Sequence, residues 1–192
     1  MSGHGFHVHG PHDHEVEHAA QHGSSDSFAG QIAVMTAILA TVGALFSYMG
    51  GATQANAGLY KNNAAIKKTE ASNQWNYYQA KSSKQNLYEV TMNLLPEDKK
   101  ANYAKEIDRY KGEKAEIKLA AEKLEGEATA WDKRSDDELH LHHRWAQATT
   151  ALQVSIALAA IALLTKRKWL EYGMFGVAAV GVALGGAAMM HI

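Results

Sequence analysis

"IAVMTAILATVGALFSYMGG", residues 32–51, decides the fold. It sits inside a longer stretch, 27–60, that holds no Asp, Glu, Lys, Arg or His, and ~20 apolar residues are what a helix needs to cross a bilayer. Two further blocks share this character. One is "WAQATTALQVSIALAAIALLT" (145–165), between Arg144 and Lys166; the other is "YGMFGVAAVGVALGGAAMM" (172–190), between Glu171 and His191. In water, helices that are apolar all round would need a large covering core, whereas lipid covers them directly. The expected fold is therefore all-α and integral to a membrane, with transmembrane helices at 28–53, 145–165 and 172–190. Trp145 and Trp169 bracket the second block, about 36 Å apart along a helix, as aromatic residues do at the two membrane surfaces. The first block should remain as an anchor, because the tail before it, 1–27, is acidic where a cleavable signal would be basic.

The polar middle, 54–144, is rich in Ala, Lys, Glu, Gln and Asn, a composition that favours helix. Tyr103, Ile107, Tyr110, Lys114, Ile117, Ala121, Leu124, Ala128 and Trp131 follow one another in steps of four and three, which is a heptad seam with Lys114 as its polar exception. Leu59, Ile66, Asn73, Ala80, Leu87 and Leu94 recur every seven residues and mark a second seam. Pro96 followed by Glu97 and Asp98 suits a helix start, so the chain should reverse near 94–97. The middle thus reads as an antiparallel coiled-coil helical hairpin outside the membrane. "SDDE", 135–138, has the form of a capping box and predicts a break before the chain re-enters the membrane. A narrow pair of helices should leave Tyr103, Tyr110, Trp131, Trp75 and Tyr78 poorly covered. Trp75 and Tyr78 share one helix face and either fold back on the partner arm or meet another subunit. With Ile107, Ile117 and Leu124 of the seam, and Gly181 and Gly185 as a G-x-x-x-G pair that permits close helix approach, these are the expected interface residues of a homo-oligomer, and the same surfaces would serve in a larger membrane complex.

At "ASNQWNYYQAKSSKQNLYE", residues 71–89, the chain resembles a bacterial membrane family known as domain of unknown function 4337. The likeness extends over most of the chain: a charged tail, one membrane helix, this Gln-Trp-x-Tyr-Tyr-Gln-Ala-Lys-Ser stretch, a Lys/Glu-rich helix and a helix pair joined by a basic turn. It brings no activity and no catalytic residues. It implies a multi-pass protein of a bacterial inner membrane, with lipid as its surroundings.

Chemistry is sparse. There is no Cys, which excludes thiolate metal sites, disulfides and cysteine nucleophiles. The net charge of −1, with Lys and Arg interleaved among Asp and Glu, gives no basic face for nucleic acid. The tail carries His4, His7, His9, His12, His14, His18 and His22 of the chain's 11 histidines, and neutral imidazoles suit Zn, Ni or Cu. Asp136, His140 and His143 fall at i, i+4 and i+7 on one helix face and form a second candidate metal set. No cofactor is otherwise indicated, no phosphate loop or activated nucleophile occurs, and no ionisable side chain interrupts the membrane blocks. The leading expectation is a non-enzymatic homo-oligomeric membrane scaffold or accessory subunit presenting the hairpin. The alternative is a metal-handling membrane protein that captures ions on its tail. By the excess of positive charge, the turn 166–171 and the tail belong in the cytoplasm and the hairpin in the periplasm, although Lys61, Lys67, Lys68, Lys133, Arg134 and Arg144 pull the other way.

Overall fold

A computed structural model of the protein describes residues 27–190. Those residues form three α-helices and no strand: α1, Ser27–Asn93; α2, Glu97–Thr165; and α3, Lys168–Met189. Each contains a stretch long and apolar enough to cross a membrane, so the chain reads as a multi-pass membrane protein. Between α1 and α2 the Leu94 amide donates to Thr91 O at 3.0 Å and the Leu95 amide to Met92 O at 3.2 Å, which tightens the last turn. Pro96 lacks the N–H needed to prolong α1. The acids Glu97 and Asp98 then occupy the first turn of α2, where the helix dipole favours them.

The link from α2 to α3 is shorter than the basic stretch 166–171. Lys166 takes φ 53° and its amide donates to Ala162 O at 2.8 Å, Arg167 is extended, and α3 begins at Lys168, ahead of the apolar block. Hydropathy marks where a span becomes apolar, whereas Lys, Trp and Leu continue a helix beyond that point.

The chain divides into two compact units. In the first, 27–50 packs with 144–190. Ile32, Ala159, Ala162, Leu170 and Met174 form one buried cluster, flanked by Phe28, Met35 and Leu158. Leu39, Leu152 and Ala178 form another, flanked by Val42, Phe46 and Ile156. Small residues set the spacing. A Cβ on Gly181 would lie 2.9 Å from Leu152 Cδ2, and one on Gly185 would overlap the Phe46 ring. Ser155, fully buried, donates its hydroxyl to Met174 O at 2.8 Å, which satisfies a polar group where no water reaches. Trp145 is also buried, its ring tilted against that of Phe46 at 5.2 Å between centroids; Trp169 is exposed.

In the second unit, 51–143, α1 and α2 run side by side in opposite directions. Ala57 meets Ser135, Lys61 meets Asp132, Lys81 meets Glu113 and Tyr88 meets Tyr103. From α2, Ile107, Tyr110, Ile117, Ala121 and Ala128 are buried, as the seam of that arm requires. On α1 the buried positions are Thr53, Ala57, Ala64, Ala71 and Gln85. The heptad Leu59, Ile66, Asn73, Ala80, Leu87, Leu94 is not the seam of this pair: all six are exposed. The alanines two positions earlier face α2 instead, where Ala57 meets Ser135 and Ala64 and Ala71 lie beside Ala128, while Tyr60 and Tyr88 of α1 pack on Trp131 and Tyr110. This packing also corrects the expectation that two helices cannot cover the aromatic residues. Tyr110 is buried, and Tyr103, Trp131, Trp75 and Tyr78 are half-buried.

No break occurs at 135–138. The helix runs through, because Ser135 turns its hydroxyl across to Ala57 O at 2.8 Å instead of capping its own backbone, while Asp136 and Asp137 stay exposed.

Candidate interaction surfaces

Three surfaces of the second unit carry its polar and apolar chemistry. The first is a polar layer inside the helix pair. Lys81 Nζ meets Glu113 at 2.5 Å and lies over the rings of Tyr77, at 5.2 Å, and Tyr110, at 5.4 Å. One turn on, Lys114, the polar member of the α2 seam, donates to Gln85 Oε1 at 3.2 Å and sits 5.0 Å from the Tyr78 ring. Gln85 in turn donates to Glu89 at 2.8 Å. Tyr88 packs on both Tyr103 and Tyr110. The hydrogen bond from Lys81 holds the Glu113 carboxyl below its ordinary range, and Glu113, then Tyr77, hold Lys81 above its own. Neighbouring Tyr110, then partial burial, raise the Tyr88 phenol. Lys81 pairs with a carboxylate, whereas Lys114 is met by an amide oxygen and a ring, and these contacts across the two helices fix which of their residues stand opposite one another.

The second surface is an open groove of about 800 Å³. Its floor is small, with Ala64, Ala71 and Ala128; its rim carries Lys61, Lys68, Trp75, Glu125 and Asp132. Trp75 Nε1 donates to Glu125 at 2.8 Å, its ring packs edge-on to Tyr78, and Lys61 bridges to Asp132 at 2.7 Å. Trp75 and Tyr78 therefore fold back on the partner arm.

The third surface is the outward stripe of α1. Leu59 is 56% exposed, Ile66 47%, Leu87 65%, Val90 59% and Leu94 81%. They stand on one side of α1 in two groups, Leu59 with Ile66 and Leu87 with Val90 and Leu94, separated by Asn73 and Ala80. The seven-residue repeat expected to form a seam thus faces away from α2.

The residues expected at an interface, Trp75, Tyr78, Tyr103, Ile107, Tyr110, Ile117, Leu124, Trp131, Gly181 and Gly185, are all buried or half-buried within the chain. Of the second metal set, Asp136, His140 and His143 are exposed, and among the described residues no three His, Asp or Glu side chains converge to hold a metal ion. The histidines of the tail, His4 to His22, lie outside the described residues.

A family model described as a domain of unknown function (DUF4337) matches residues 28–191, and the chain belongs to that family. No curated protein and no solved structure matches it.

Proposed function

We propose that this member of the DUF4337 family is a non-enzymatic scaffold or accessory subunit of a membrane. In this reading the unit 51–143 is a coiled-coil hairpin outside the bilayer, and copies associate through the outward stripe of α1. The observation that carries it is the exposure of Leu59, Ile66, Leu87, Val90 and Leu94 on one side of α1, more than the scattered Leu119 and Leu139 that α2 exposes. Leu59, Ile66, Leu87 and Leu94 share a seven-residue register and Val90 stands three residues after Leu87, which keeps all five on one side of a left-handed supercoil, so a further helix could pack along the arm. Asn73 interrupts the stripe, as a polar residue does when it selects a single alignment of partners. The Lys166, Arg167 and Lys168 cluster supports placing that turn in the cytoplasm; labelling of Lys168→Cys by a membrane-impermeant maleimide in intact cells would reverse that assignment.

The test is light scattering on the full chain in mild detergent. Wild-type protein should be an oligomer. Leu87→Glu with Val90→Glu should lower its mass, because burying unpaired carboxylates is costly, while the helical circular dichroism stays unchanged. A monomeric wild type, or an oligomer indifferent to both glutamates, would contradict the reading.

A further inference from the structure

The membrane-spanning end of α2 carries an amide in an unusual place. Gln153 lies near the middle of the block 145–165, about 12 Å along the axis from Trp145 at the helical rise of 1.5 Å per residue. Its side chain is exposed and makes no hydrogen bond to any described residue. The hydroxyl groups nearby behave differently. Thr149 donates to Trp145 O at 2.9 Å, Thr150 to Ala146 O at 2.8 Å and Thr165 to Ile161 O at 2.8 Å, while Ser155 donates across to Met174 O. Each closes its bond inside the chain. Gln153 instead presents two donors and an acceptor to hydrocarbon, which offers neither.

The surroundings of Gln153 leave room for a partner. Ala146, Thr150, Ala157 and Ala160 are exposed on the same face and follow the four-three spacing of a helix seam, so the side chains around Gln153 are small, and the first bulky one on that spacing is Leu164, eleven residues on. Copies inserted with the same topology place residue 153 at the same depth. An amide is complementary to itself, since the NH₂ of one can donate to the carbonyl oxygen of the other and the reverse.

We infer that Gln153 of α2 meets Gln153 of a second copy within the membrane, and that this reciprocal amide pair is the contact through which the spans associate. The inference rests on the self-association proposed above but on a different surface, in lipid instead of water.

Disulfide formation in the full chain, reconstituted in phospholipid vesicles, tests it, and the absence of native cysteine makes every probe unique. Single variants Ala157→Cys and Ala160→Cys share the face of Gln153, whereas Val154→Cys and Leu163→Cys lie to either side. The first two should crosslink under mild oxidation and the second two should not. Adding Gln153→Leu should weaken association by about three- to thirty-fold, the range of one interhelical hydrogen bond in lipid, with Gln153→Asn retaining part of it. Neither change touches the packed interior, so helix content should stay constant. Equal crosslinking all round the helix, or a leucine variant that associates as tightly as wild type, would overturn the inference. Leu87→Cys separates the two surfaces. Crosslinking there with none at 157 refutes the amide contact and leaves the stripe; crosslinking at 157 with none at 87 does the reverse.

Discussion

Gly185 lies directly against the ring of Phe46, so closely that a Cβ at 185 would overlap Cε2 and Cζ of that ring. Gly181 is also confined, but less tightly: a Cβ there would lie 2.9 Å from Cδ2 of Leu152 and 3.2 Å from Cβ of Ala151. The two glycines should therefore respond differently to the same methyl group. Gly185→Ala should destabilise the membrane-spanning unit by about 1–3 kcal/mol, as overpacking does, and Gly181→Ala by less. Phe46→Leu should recover part of the loss when combined with Gly185→Ala, since residues in contact are not additive. Reversible unfolding in mixed micelles measures all four variants, and equal losses at the two glycines would refute this packing.

Ser135 and Ala57 are joined by a buried hydrogen bond. Replacing Ser135 by Ala leaves the Ala57 carbonyl with only its helical partner, and should cost about 1 kcal/mol. If Ser135 were instead a cap at a break, the same substitution would fray α2 and lower helix content measurably. Circular dichroism with thermal melting distinguishes a shifted midpoint from lost helix, and the shift alone is expected.

The three stretches apolar enough to cross a membrane and the buried face of α2 were legible in the sequence, the first from unbroken apolar runs and the second from Ile107, Tyr110 and Ile117 at helical spacing. The α1 seam was not. Its buried residues are Ala57, Ala64, Ala71, Thr53 and Gln85, which carry little hydrophobic signal, whereas the strong repeat from Leu59 to Leu94 faces outward. Along that buried face the two arms meet through small residues: Ala57 meets Ser135, and Ala64 and Ala71 share the floor of a groove with Ala128. A heptad of leucines says that a face is apolar, but not which neighbour covers it. Ser135 misled for a related reason: a hydroxyl within reach of its own backbone and of a neighbouring helix looks the same in sequence. The match of Lys81 with Glu113 depends on the alignment of two helices, which no local pattern contains.

That ion pair makes stability depend on pH with a defined sign. Glu113 is held below the ordinary carboxylate range by Lys81, so its contribution is full above the unfolded value of about 4.3 and is lost as pH falls through the depressed one. Lys81 is held above its ordinary range by Glu113, so its contribution is full below about 10.4 and is lost as pH rises beyond that. Melting temperature should be level between these limits and decline below pH about 4. Glu113→Gln should flatten the acid limb. An acid limb identical to wild type would show that other carboxylates account for it.

The outward stripe of α1 is the centre of the proposed function, and position-by-position disulfide trapping in native membranes tests it most directly. With no native cysteine to interfere, single cysteines are placed along α1 from 59 to 94 and the dimer yield is read at each. The expected profile peaks at 59, 66, 87 and 94, with minima at 65, 72 and 79, exposed positions about a quarter-turn or more round the helix. A profile without a seven-residue period, or one that peaks at 65, 72 and 79, would contradict association through this stripe.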